Sequence, residues 1–242
     1  MRPAAGFTLI ELLVATAIAL VVMGALFGLV DPARGVFQAQ PEISDMHQRL
    51  RSAVDALARD LLMAGAGVPP AASPPVLPYR IGQQDSDVEQ GVLYRPDVVT
   101  VIYLPAPDAV PASRTYHVRP DPATTTPQLM QYDGRQSDLP LVDHVVALGF
   151  EYFDAGEAPL DPSVLQDGPW LRADPDAAPF DADLLRIRRV RVRLRVEAAL
   201  AAMRARGGPL FVRSGTSTSA ARQAPDLALA FDVGLRNVGT DP

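Results

Sequence analysis

The first thirty residues divide sharply by polarity. After MRPAAG comes "FTLIELLVATAIALVVMGALFGLV", in which Glu11 is the sole charge and Leu12 to Val30 form 19 consecutive uncharged residues. A helix of that length rises about 28 Å, close to the hydrocarbon thickness of a bilayer. Beyond Glu42 the apolar positions recur every three or four residues: Ile43, Met46, Leu50, Val54, Leu57 and Leu61. This is the period of an amphipathic helix, with Arg49, Arg51, Asp55 and Arg59 on its other faces. Pro32 and Pro41, with Gly24, Gly28 and Gly35, predict a kink or a short melted stretch near 31–41. Gly65 and Gly67, followed by Pro69-Pro70, predict the helix end.

The remainder reads in strands and long loops. Gly91–Tyr94, Val98–Leu104, Arg114–Val118 and Gln128–Tyr132 have strand character, and the nearly continuous apolar run Val98–Tyr103 suits a central strand. "LVDHVVALGFEYFDAG" predicts a short turn of helix or a bend through Val142, Val145, Val146 and Leu148. A strand carrying Phe150 and Tyr152 follows and ends at Asp154-Ala155-Gly156. In "LRIRRVRVRLRVEA", Val190, Val192, Leu194 and Val196 alternate with Arg189, Arg191, Arg193 and Arg195, giving one buried and one arginine-lined face. "DLALAFDVGLRNVG" offers a last strand with Leu227, Leu229, Phe231, Val233 and Leu235 on one face. Residues 68–90, 155–183 and 207–223 read as loops. The pattern as a whole is α+β: a long N-terminal helix, membrane half plus amphipathic half, packed on an antiparallel β-sheet head.

Composition narrows the chemistry. The 24 prolines against 17 glycines disfavour an all-helical body. With no cysteine, neither a disulfide, a thiolate metal site nor a lipoprotein anchor is available. The net charge of −6 argues against general nucleic-acid binding. Arg189, Arg191, Arg193 and Arg195 are the one concentrated positive stretch, a candidate surface for DNA or an acidic partner. The competing reading is a solvated face whose arginines pair with aspartates on neighbouring strands. The absence of interleaved aromatic residues for base stacking favours that reading. Asp174, Asp176, Asp181 and Asp183 raise a calcium site as a candidate, but the loop lacks the glycine and terminal glutamate of a helix–loop–helix calcium loop. His47, His117 and His144 lack metal-ligand spacing. Ser214-Gly215-Thr216 is not a nucleophile elbow, and Gly207-Gly208 does not begin a phosphate loop. No catalytic residue, cofactor or metal is expected.

Glu11 is the anomaly. A carboxylate at mid-bilayer costs roughly 2.5–3.5 kcal/mol and usually marks a function. A secretory signal peptide does not account for it, because the apolar run exceeds the usual length and no polar cleavage region follows. An uncleaved anchor fits the length equally well but leaves Glu11 unexplained. Arg2 before the run and Asp31 after it keep the N-terminus cytoplasmic and place the C-terminal bulk across the membrane.

Gly6-Phe7-Thr8-Leu9-Ile10-Glu11, continuing through "LLVATAIAL", resembles the class III signal of type IV pilins and pseudopilins. The resemblance implies cleavage between Gly6 and Phe7 by a prepilin peptidase, followed by N-methylation of Phe7. Glu11 then becomes the fifth residue of the mature chain and pairs, during assembly, with the N-terminal amine of a neighbouring subunit. The implied organisation is a leader at 1–6, a transmembrane and filament-core helix at 7–30, a kinked region and amphipathic helix at 31–66, and a β-rich periplasmic head at 67–242.

"ARDLLMAGAG", "DVVTVIY", "LVDHVVALGFEYFD" and the terminal "LRN" are similar to PilW-type minor pilins and to J-type minor pseudopilins. A head of about 175 residues after Gly67 would crowd a repeated lattice, which favours a minor or tip subunit that primes assembly. Implied partners are the prepilin peptidase, other major and minor pilins, membrane lipid, and an inner-membrane platform with its ATPase motor. The implied location is the bacterial inner membrane, then a pilus or pseudopilus. The alternatives are a minor pseudopilin of type II secretion, a DNA-uptake pilin, and a membrane-anchored binding module.

Overall fold

A computed structural model of the chain describes residues 8–79, 94–107, 109–135, 137–171, 180–204 and 226–238, with backbone alone for 27–38 and 202. The leader 1–6 with Phe7, the start of the expected strand at 91–94, Asp174, Asp176 and the 207–223 stretch lie outside the described residues.

Helix α1 runs from Leu9 to Met63. It passes through Pro32 and Pro41, so the melted stretch expected near 31–41 does not form. Each proline removes one intrahelical hydrogen bond, and the turns on either side keep theirs. The helix stops where the glycines predict. Gly65 and Gly67 take φ of 77° and 70°, a left-handed conformation that other residues adopt at a cost. The Gly65 N–H bonds to the Ile102 carbonyl at 2.8 Å. Asn237 Nδ2 donates to the Leu62 and Ala64 carbonyls at 3.1 and 3.3 Å, satisfying helix-end acceptors that lack an internal partner.

Contacts group the chain into two compact units, residues 1–44 with 198–225, and residues 45–197 with 226–242. In the first, the buried Glu42 carboxylate accepts the Ala199 N–H. Arg204 donates to the Ala198 and Ala199 carbonyls at 2.8 and 3.2 Å.

The second unit holds two antiparallel sheets. Strands β1 (Val76–Leu77), β2 (Val99–Tyr103), β3 (Ala112–Pro120), β4 (Pro127–Tyr132) and β5 (Asp138–Asp143) lie in sequence order in one of them. Strands β6 (Val145–Phe153), β7 (Arg189–Val196) and β8 (Leu227–Gly234) form the other. As expected, β2 is interior and nearly fully buried. One expectation is corrected: the loop at 68–90 contains β1, whose two residues are too few to carry a periodic signal. Of the helical turn or bend expected through Val142–Leu148, the bend forms: those valines belong to β5 and β6, in different sheets, and His144 alone, at φ 61°, turns the chain between them.

The apolar stripe of α1 (Leu50, Ala53, Leu57, Leu61), with Ala64 just beyond the helix end, joins one core with residues of both sheets, among them Val99, Val101, Leu129, Phe150, Val192 and Leu194. A polar lock lies beside it. The Tyr116 hydroxyl donates to Asp60 Oδ2 at 2.7 Å, and Gln131 Nε2 donates to both groups, at 2.7 Å to the hydroxyl and 3.2 Å to the carboxylate. Burial first, and the Asp60 charge second, push the Tyr116 phenol above its ordinary value. It therefore remains a neutral donor to the carboxylate, fixing the helix against β3 and β4. Of the residues expected on one face of the last strand, Val233 near the end of β8 and Leu235 just beyond it are buried, whereas Leu229 is 39% exposed.

Candidate functional site

The segment Leu9–Leu26 is long and apolar enough to cross a membrane, and none of it is buried within the chain. Leu9, Leu20 and Val21 are 72–81% exposed. Water is a poor solvent for such a surface, since each large apolar side chain forgoes roughly 1.5–3 kcal/mol of burial. Lipid removes that penalty. Thr16, the one polar residue inside the run after Glu11, turns its hydroxyl back to the Leu12 and Leu13 carbonyls at 3.0 and 2.9 Å.

Glu11 sits in the first turn of this helix, and its local partner is Thr8. The Thr8 N–H and Thr8 hydroxyl both donate to Glu11 Oε2 at 2.8 Å, and the Glu11 N–H donates to Thr8 Oγ1 at 3.3 Å. Thr8 is thus the N-cap and Glu11 the third helical residue of a capping box, each side chain satisfying the other's backbone donor. Glu11 Oε1 receives no hydrogen bond from a described residue. The carboxylate is held at the helix start with one oxygen committed to the cap and the other bonded by no described residue. Thr8 was missed as a site residue, although Thr8-x-x-Glu11 before an apolar run is a legible capping signal. Gly6 and Phe7 lie outside the described residues.

Replacing Thr8 by valine should remove the hydroxyl of this box and cost the helix N-terminus about 1 kcal/mol. In lipid nanodiscs the Glu11 amide should exchange roughly five-fold faster than in the parent chain, while the amides beyond Ala17 stay unchanged.

The arginine face lies on β7 as predicted, but each arginine has a carboxylate. Arg189 reaches Glu157 and Asp232 at 3.7 and 3.6 Å; Arg191 grips Asp232 with two bonds of 2.8 and 3.1 Å. Arg193 meets Glu151 at 2.8 Å and Arg195 meets Asp226 at 3.7 Å. The Asp232 carboxyl is held below its ordinary value, first by the Arg191 hydrogen bonds. Arg189 and Arg191 also lie 4.5 and 5.0 Å from the Phe153 ring centre. Four arginines facing Glu151, Glu157, Asp226 and Asp232 form a charge-balanced ladder, not a concentrated positive field.

Of the four aspartates raised as a calcium candidate, Asp174 and Asp176 lie outside the described residues, and Asp183 pairs with Arg186 at 3.0 Å. Asp181 is buried and caps a 3-10 turn, Ala182–Arg186, through the Asp183 N–H, while its other oxygen accepts the Gly168 N–H at 2.6 Å. Burial and then the Asp181 charge push the Tyr79 phenol up to about 12. Among the described residues no group of three or more His, Asp or Glu side chains is placed to hold a metal ion. His117 lies 3.5 Å from Asp138, and His144 lies 3.4 Å from Glu197.

Residues 1–27 match the family model described as the prokaryotic N-terminal methylation motif. No curated protein matches the chain in sequence. Among solved structures, the type IV-like pilin TTHA1219 from Thermus thermophilus is similar over 79% of this chain and 97% of that one, at 15% identity and a TM-score of 0.40.

Proposed function

We propose that this chain is a minor pilin, a non-catalytic structural subunit that primes or caps a type IV pilus-like filament after removal of its leader. The observation that carries the reading is the coincidence of the N-terminal methylation motif at 1–27 with a carboxylate, one of its oxygens bonded by no described residue, at the first turn of an unburied apolar helix. In this reading cleavage after Gly6 frees an amine at Phe7. An incoming subunit's amine then meets Glu11 Oε1 in lipid. The attraction of two unit charges about 4 Å apart is roughly 4 kcal/mol at an effective dielectric constant of 20. Docking thereby offsets the cost of a carboxylate in the membrane. The β-rich head stands in the periplasm, and the inner-membrane platform with its motor supplies the work of extraction.

The balanced ladder on β7 gives the DNA-uptake alternative no support. The test is the sheared filament fraction from cells with and without prepilin peptidase. The chain should appear there at a few per cent or less of the main subunit, and only with the peptidase present. Near-stoichiometric abundance would contradict the minor role, and peptidase-independent release would contradict the filament role.

A further inference from the structure

At one end of the five-stranded sheet, the loop joining β2 to β3 and the turn joining β4 to β5 line a cavity of about 460 Å³. That volume lies within the range of clefts that hold ligands. Its polar side chains are those of Ser113, Arg114, Asp133 and Arg135. The turn that carries Arg135 is fixed without help from the guanidinium. Asp133 Oδ1 accepts the Arg135 N–H at 2.9 Å and the Ser137 N–H at 3.0 Å. The Tyr132 hydroxyl donates to the Arg135 carbonyl at 2.9 Å. Gly134, at φ 79°, brings main chain against Ser113: a Cβ there would lie 1.8 Å from Ser113 Oγ. Arg114 is fixed by its place in β3, opposite Val101 of β2.

Neither guanidinium meets a carboxylate among the described residues, and the Ser113 hydroxyl meets no acceptor there. The arginines of β7 differ, since each of them has a carboxylate. Asp133 sets one negative charge against two positive ones, and its Oδ1 is spent on the turn. In a chain with 28 acidic residues against 22 basic ones, this cavity keeps an excess of positive charge.

We propose that the cavity binds an oxyanion, the carboxylate or phosphate group of a ligand, with the Arg114 and Arg135 guanidinium groups and the Ser113 hydroxyl as its donors. Donors that lack an acceptor of their own select an acceptor-only group. A guanidinium fork fits two oxygens of a carboxylate or phosphate at once. A concave site of one sign also concentrates the field that draws such a group in. Because both arginines are held by main-chain bonds, little ordering remains to be done on binding.

The experiment is titration calorimetry on the full-length chain in nanodiscs of zwitterionic lipid, with citrate and inorganic phosphate as the probes. At least one of them should bind with a dissociation constant of about 1 mM or below, and the tighter one identifies the group. Arg114→Gln and Arg135→Gln should each weaken binding roughly ten-fold, the loss of a charge-assisted hydrogen bond. Their thermal midpoints should match the parent's, because neither arginine gives up an ion pair. Added salt should weaken binding in the parent chain. No saturable binding of either anion, or binding unchanged in the double variant, would overturn the proposal. Asp108 belongs to the same loop and lies outside the described residues. Binding seen only in Asp108→Asn would show the chain's own carboxylate in the site and would overturn the proposal as well. The assay involves neither leader removal nor assembly, so its failure leaves the filament reading untouched, and failure of that reading leaves the cavity in place.

Discussion

Glu11→Gln should abolish incorporation into filaments while leaving the helix start intact. The capping box accepts glutamine in place of glutamate, because either side-chain oxygen can take the Thr8 N–H. The variant thus keeps the geometry seen around Oε2 and removes only the charge. If the carboxylate serves an incoming amine, that amine is left unpaired in lipid, and breaking a buried ion pair on one side costs about 3–5 kcal/mol. Incorporation should fall by roughly 100-fold or more, read as the ratio of chain in sheared filaments to chain in membranes. Glu11→Ala should lose charge and cap together and do no better. Thr8→Val, which weakens the cap and spares the charge, should fall far less. Were Glu11→Gln to assemble normally while Thr8→Val failed, the glutamate would be a helix cap and nothing more.

A second large effect is expected at the far end of α1. Gly65→Val should destabilise the second unit by about 2–4 kcal/mol, combining left-handed strain with a clash. Gly65 has a φ of 77°, and a Cβ there would lie 2.8 Å from the Asn237 carbonyl oxygen and 3.2 Å from Pro75 Cβ. Backbone on one side and a proline ring on the other cannot swing away. Relief would require pulling Asn237 off the helix-end carbonyls it caps. For a unit of this size the thermal midpoint should drop by roughly 4–16 °C, followed by near-ultraviolet circular dichroism. Gly24→Ala, with nothing within 4 Å of the added Cβ, should leave the midpoint unchanged.

What the sequence disclosed and what it hid follow from the range of the forces involved. The stripe Leu50, Leu57, Leu61 and the alternation of Val190, Val192, Leu194 and Val196 were legible, because burial on one face writes a period into the chain. The partners of the arginines were half legible. Asp232 lies in the predicted last strand, but only the β7–β8 register brings it opposite Arg191. The bend near His144 was expected, but its single-residue form and the division of the valines around it between two sheets were hidden, because one residue leaves no periodic signature. The Asn237 cap was hidden for a different reason: it joins positions 173 and 175 residues apart, and nothing local to either end announces it. At the membrane end, Glu11 stood out by its cost alone. Thr8, which holds it, was within reach of the capping pattern.

The account stands on the amine that leader removal creates, and the mass of the N-terminal peptide reads it directly. The protein should be taken from membranes of cells with an intact prepilin peptidase and compared with protein from cells lacking it. A chain beginning at N-methylated Phe7 in the first and at Met1 in the second is the expected result. A chain that keeps Met1 in both, or begins beyond Ala19, would leave Glu11 without the partner proposed for it and would contradict the account.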